Sequence, residues 1–154
     1  MLFECCAADN VNGLSSSVFT LAGLVTGVAV IKVLLIIEHG GFPVYPRDLI
    51  QMGYDVETVH SQRKALSALK NKVPDVVIAE FNYVSTFRDR ISNLESLLAR
   101  LQTNAPDTKV IVIYEQEHEE HLLKIKQRFV IHEQLRYPVT AEHFFEALRQ
   151  TVGA

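Results

Sequence analysis

The strongest constraint in this chain is the recurrence of short, wholly apolar, β-branched runs separated by stretches of helical periodicity. KVLLII at Lys32–Ile37, DVVIAE at Asp75–Glu80 and KVIVIY at Lys109–Tyr114 show no apolar–polar alternation, so both faces of each strand must be covered. Asp55–Val59 and a weaker stretch at or near Val130–Ile131 bring the strands to five. Helical patterns fill the gaps. Pro46 opens a short helix reaching Met52, with Gly53 ending it, and Ser61 caps a helix whose Ala65, Leu66 and Leu69 share a face. Ile91, Leu94, Leu98 and Leu101 recur at helical spacing. HEEHLLKIKQRF, starting at His118, turns Leu122, Ile125 and Phe129 inward, and Thr140 caps a last helix carrying Phe144, Leu148 and Val152. Strands alternating with helices predict an α/β domain with a doubly wound, five-stranded parallel sheet.

Composition narrows the function classes. Of 154 residues 48% are apolar and 21% charged, with a formal net charge of −3, which is globular and gives no basic footprint for nucleic acid. The two cysteines, Cys5 and Cys6, are adjacent; they can neither staple distant segments nor form a zinc knuckle, which favours a reducing, cytoplasmic setting. Val18–Ile37 is apolar apart from Lys32, a length that spans a bilayer if taken whole. Once Lys32–Ile37 is spent on the first strand, the 14 residues Val18–Ile31 fall short of the roughly 20 a span needs. The expected organisation is an apolar N-terminal extension, residues 1–30, followed by one domain, residues 31–154. Packing of Val18–Ile31 on that domain is favoured over membrane contact.

Chemistry in a doubly wound sheet gathers outside the carboxyl ends of the strands. Those ends carry Glu38-His39, Glu80, Tyr114-Glu115 and Arg136-Tyr137-Pro138. In this order the chain resembles the receiver domain of bacterial response regulators, the CheY-like phosphorelay module of two-component signal transduction. PDVVIAE at Pro74–Glu80 looks like that family's third strand, with Glu80 where the phosphoacceptor Asp belongs. DTKVIVIYE at Asp107–Glu115 is similar to its fourth, with Tyr114 at the hydroxyl position. LRYPVTAEHFFEAL at Leu135–Leu148 looks like the segment around its Lys-Pro, with Tyr137 in place of the Lys. Glu38 and His39 stand at the acidic pair. The resemblance implies a flavodoxin-like topology with strand order 2-1-3-4-5; it covers Lys32 to about Val152, and only Pro138 survives intact at a signature position.

The resemblance implies a Mg²⁺ held by the acidic pair and the acceptor, which neutralises the incoming phosphoryl group. The departures argue against that chemistry. His39 is a poor ligand for a hard cation, the extra methylene of Glu80 moves the carboxylate by about 1 Å or more, and the cationic Lys is replaced by Tyr137. The two tyrosines are expected to fill the pocket. Glu80 either imitates a phosphorylated Asp or is a solvent-facing carboxylate of no special role, whose neutralisation would cost under about 1 kcal/mol.

Other constellations carry less. His118 and His121 in EQEHEEH lie three apart but without a third ligand, as a solvated helix face would. Gly40-Gly41-Phe42-Pro43 lacks the spacing of a phosphate-binding loop. The reading is a stand-alone pseudo-receiver, not an enzyme, that needs no metal or cofactor and acts on protein partners. Its expected contact surfaces are Phe81, Tyr83, Phe87, Arg88 and Arg90 in the segment after the third strand, and Leu123, Arg128, Phe145 and Arg149 on the helix 4–strand 5–helix 5 face, where a homodimer would also form. Two rivals stand beside it: a small flavodoxin-like ligand-binding domain or enzyme using Glu38, His39 and Glu80 as acid and base, and a membrane-tethered adaptor anchored by the apolar segment.

Overall fold

A computed structural model of the chain describes residues 29–40, 45–85 and 90–153. Among them the chain runs β1 (Lys32–Ile36), α1 (Pro46–Gln51), β2 (Asp55–Val59), α2 (Gln62–Asn71), β3 (Val76–Phe81), β4 (Tyr83–Ser85), β5 (Arg90–Ser92), α3 (Glu95–Asn104), β6 (Lys109–Tyr114), α4 (Glu119–Lys126), β7 (Glu133–Arg136) and α5 (Ala141–Gly153). A 3₁₀ turn, Gln116–His118, leads into α4. The main sheet has the order β2-β1-β3-β6-β7, and every pairing in it is parallel. This is the order expected from the sequence, with β6 and β7 as its fourth and fifth strands.

The apolar runs became central strands because each has two faces to bury. Val33, Leu35, Val76, Ile78, Ile111 and Ile113 point to one side, where α1 and α5 add Leu49, Phe144, Ala147 and Leu148. Leu34, Ile36, Val77, Ala79, Val110 and Val112 point to the other, against Leu69 of α2, Leu97, Leu98 and Leu101 of α3, and Leu122 and Ile125 of α4. Each fully buried aliphatic side chain contributes about 1.5–3 kcal/mol before chain entropy is subtracted. Ser61 caps α2 through Oγ, which accepts from the Lys64 N–H at 3.3 Å, and Thr140 Oγ1 does the same for α5 from His143 at 3.3 Å.

One expectation is corrected and a second is made definite. Ile91 is not on the third helix, which begins at Glu95; it lies in β5 of an antiparallel hairpin, β4–β5, set apart from the main sheet. The base of the hairpin is clasped by two asparagines, with Asn82 N–H donating to Asn93 Oδ1 at 3.0 Å, and Ser92 Oγ accepts from Leu94 N–H at 3.2 Å. The fifth strand of the sheet is Glu133–Arg136, near the Val130–Ile131 pair that the sequence marks. It is an edge strand, so only Leu135 needs burying. Val30 is exposed and Ile31 half-buried, while the remainder of the apolar extension lies outside the described residues. Among those residues, no helix is long and apolar enough to cross a membrane.

Candidate functional site

The carboxyl ends of β1 and β3 are adjacent, which brings Glu38, His39 and Glu80 together as the sequence implied. What they do there was not foreseen. Glu80 is only 3% exposed, so it is not a solvent-facing carboxylate. Its Oε2 accepts from the backbone N–H of Glu38 at 2.8 Å and of His39 at 3.0 Å. A buried carboxylate needs such donors, because an unpaired one would be strongly disfavoured.

Glu38 is committed as well. Its Oε1 accepts from Gln62 N–H at the start of α2, at 2.8 Å, and its Oε2 accepts from Asn93 Nδ2 at 3.1 Å. The same Asn93 nitrogen donates to the backbone carbonyl of Glu80 at 2.7 Å. Asn93 therefore ties the hairpin to both acidic residues. His39 is largely exposed, and its Nδ1 faces Asn82 Nδ2 at 2.9 Å. The same nitrogen lies 3.9 Å from Glu80 Oε1. Sequence reasoning missed Gln62, Asn82 and Asn93, since their partners lie 11 to 55 residues away and no local pattern marks them.

The two tyrosines diverge. Tyr114 is buried at 4%. Burial pushes its phenol above the usual value, the nearby Glu119 adds to this, and Arg136 opposes it; the hydroxyl therefore stays neutral. Tyr137, expected to help fill the pocket, is 42% exposed. It precedes Pro138 through a cis peptide bond. The closing groups at the strand ends are thus Glu80, Glu38 and Asn93 rather than a pair of rings.

The Mg²⁺ of receiver chemistry does not fit this donor set. Both oxygens of Glu38 and Oε2 of Glu80 already receive N–H donors, and the neighbouring His39 offers an imidazole, a poor ligand for a hard cation. Among the described residues, no three His, Cys, Asp or Glu side chains are grouped to hold a metal.

The expected contact residues also sort out. Phe81 is fully buried and belongs to the core, with its ring edge-on to His118 at 6.1 Å. Tyr83 stacks on His121 at 3.5 Å and 14°, so the two histidines pack against β3 and the hairpin and do not form a simply solvated face. Phe87 and Arg88 lie outside the described residues, and Arg90 is placed in β5 by its backbone alone. Leu123 is 48% exposed, and Arg149 is exposed too. Arg128 pairs with Glu95 at 3.4 Å and lies over the Phe129 ring. Phe145 is not an exposed anchor on the α4 side. It packs against Tyr45 and Phe144, each at 5.4 Å, on the α1 side.

No family model matches the chain, and no curated protein matches it by sequence. Solved structures do match. The signal receiver domain of an HD domain-containing protein from Pseudomonas fluorescens Pf-5 superposes with a TM-score of 0.62 at 22% identity, covering 81% of this chain and 96% of that one. This is the receiver-domain fold. A response regulator receiver domain protein from Clostridium thermocellum gives 0.59 at 21% identity over 80% and 95%. Chemotaxis protein CheY4 of Vibrio cholerae gives 0.60 at 20% over 80% and 99%. Glu80 lies near the carboxyl end of β3, with Glu38 beside it just beyond the end of β1.

Proposed function

We propose that this chain is a receiver-fold signalling module that works by contact with protein partners, independently of phosphorylation, in the cytoplasm. The observation that carries the reading is the capture of the Glu80 carboxylate by the Glu38 and His39 N–H groups. A phosphoacceptor must present a free carboxylate oxygen in line with the incoming phosphorus; here the side chain at that position serves as a structural clasp between β1 and β3. The same observation weakens an acid–base role for Glu38, His39 and Glu80, since a general acid or base must reach substrate and Glu80 is 3% exposed. Partner contact falls to residues that remain outward, Leu123 of α4 and Arg149 of α5, on the face where a homodimer would also form. The 1–30 extension and the 31–154 domain are read as separate units of this module. The test is incubation with acetyl phosphate and Mg²⁺ followed by intact mass. The expected spectrum lacks the roughly 80-dalton increment of a phosphoryl group; a stable, Glu80-dependent adduct would overturn the proposal.

A further inference from the structure

The edge strand β7 is joined to β6 at its start by a side chain. Val110 of β6 turns both of its main-chain groups towards this edge, and His132 meets both. His132 N–H donates to Val110 O at 2.9 Å, while Val110 N–H donates to the imidazole Nδ1 of His132 at 3.0 Å. Strand pairing proper begins one residue later, at Ile111 and Glu133. A ring nitrogen thus stands in for the carbonyl that a longer β7 would have supplied. Val110 is only 3% exposed, so its N–H has no water to turn to when that acceptor is lost.

The stretch that leads into this junction, residues 127–132 between α4 and β7, covers apolar surface. Phe129 and Ile131 are half-buried against the core that α3 and β6 share. Beneath them lies a hollow of about 210 Å³, whose lining includes Leu98 and Leu101 of α3, Ala105, Val110, Phe129 and His132. Main-chain bonds tie Gln127, Arg128 and Phe129 back to α4, and His132 ties the stretch forward to β6.

The charges around His132 are few. Burial, and then the Lys109 ammonium at the start of β6, hold its proton affinity below the ordinary value of 6.5. Glu133, beside it in β7, accepts from Gln134 N–H, and Arg128 is paired with Glu95. Of the residues that α3, the turn after it and β6 bring to the hollow, none is ionisable.

We propose that His132 is a proton-operated latch: a proton taken up at Nδ1 breaks the bond with Val110, frees residues 129–132 from β6 and uncovers the apolar hollow beneath them. With Nδ1 protonated, two N–H donors face each other across 3.0 Å, and parting of the edge relieves them. The freed ring ionises at its ordinary value in water, whereas the latched ring resists the proton. Closure is therefore fully favoured above pH 6.5, and opening gains as the pH falls from there towards the lower latched value. The latch lies at the amino end of the sheet, away from Glu80, and is independent of whether that residue takes a phosphoryl group.

Amide exchange of Val110 and His132, followed by nuclear magnetic resonance with each rate divided by its intrinsic value, tests this. Between about pH 7.5 and about pH 5 the protection of both should fall at least about fivefold, while that of Ile78 in β3 changes by less than about twofold. Binding of the apolar-surface dye anilinonaphthalene sulfonate should rise over the same range. His132→Ala, at an exposed position, removes the acceptor and the titrating group together. In that variant Val110 should be weakly protected at both pH values, with a dye signal independent of pH. Four results would overturn the proposal: constant Val110 protection in the parent, an equal loss at Ile78, a flat dye signal in the parent, or a pH-dependent loss at Val110 that persists in His132→Ala.

Discussion

Glu80 Oε2 sits 2.8 Å from the backbone nitrogen of Glu38, 42 residues earlier in the chain, and accepts its N–H. The bond joins the carboxyl ends of two neighbouring strands through a side chain, where main-chain pairing has already run out at Ile36 and Ala79. Because the carboxylate is buried and its donors are backbone amides, removing its charge costs more than it would for a solvated residue. Glu80→Gln should destabilise the fold by about 1–3 kcal/mol, the range for buried hydrogen bonds to charged groups, against the under 1 kcal/mol expected of an exposed carboxylate. Urea denaturation at neutral pH measures this, and a shift near zero would mean that the clasp contributes nothing.

Shortening the same residue is informative in another way. Glu80→Asp recreates the acceptor type of a working receiver but withdraws the carboxylate by about 1 Å or more from Glu38 N and His39 N. On the proposed reading, Tyr137 takes the place of the cationic Lys. The variant should remain unphosphorylated by acetyl phosphate and Mg²⁺ and should be less stable than the parent. A phosphorylated Glu80→Asp protein, detected by mass, would show that the acceptor residue alone had silenced the site.

The Asn93 side chain makes three hydrogen bonds, donating to Glu38 Oε2 and Glu80 O and accepting from Asn82 N–H. Asn93→Ala should cost about 2–4 kcal/mol, from two or three bonds at roughly 1 kcal/mol each plus the acceptors left behind. Asn93→Asp should cost at least as much, since it loses both donors and sets a second negative charge against Glu38. Faster amide exchange across Tyr83–Ser92 should accompany both variants. An Asp variant more stable than the Ala variant would contradict this arrangement.

Tyr83 and His121 couple the hairpin to α4 by face-to-face stacking. A double-mutant cycle with Tyr83→Ala and His121→Ala should return a coupling of about 0.5–1.5 kcal/mol. Additive effects, with no coupling, would mean that the hairpin is held by its asparagine clasp alone.

His132 predicts a pH dependence. Its Nδ1 accepts from Val110 N–H at 3.0 Å, so it must be unprotonated, and burial, with Lys109 adding to it, lowers its affinity for a proton below the ordinary value of 6.5. The folded state thus binds the proton less readily than the unfolded chain. Stability from this residue is fully present above pH 6.5 and declines as the pH falls from there through the lower folded value. His132→Gln should remove that slope between neutral and mildly acidic pH in a series of denaturation curves. An unchanged slope would assign it to other groups.

The strands and most helices were legible in the sequence because their cause is local and repetitive. Runs such as KVLLII, DVVIAE and KVIVIY cannot be solvated on either face, Ser61 and Thr140 carry their caps within three residues, and alternation of strand and helix restricts the topology. The doubly wound parallel sheet followed from those facts, and its order β2-β1-β3-β6-β7 from the resemblance of the strand ends. The hairpin did not, because Ile91 shares the spacing of α3 while Asn82 and Asn93, which turn the chain instead, act on each other across 11 residues. The role of Glu80 was decided only by the tertiary structure. The sequence placed a carboxylate at the end of β3 beside Glu38. Whether it met water, a cation or two backbone N–H groups depended on how the chain turns after β1, and on Asn93 arriving from another element to hold Glu38 and the Glu80 carbonyl in place. A buried carboxylate takes whatever donors the fold delivers, and those donors are set by contacts between residues about 40 positions apart in the chain.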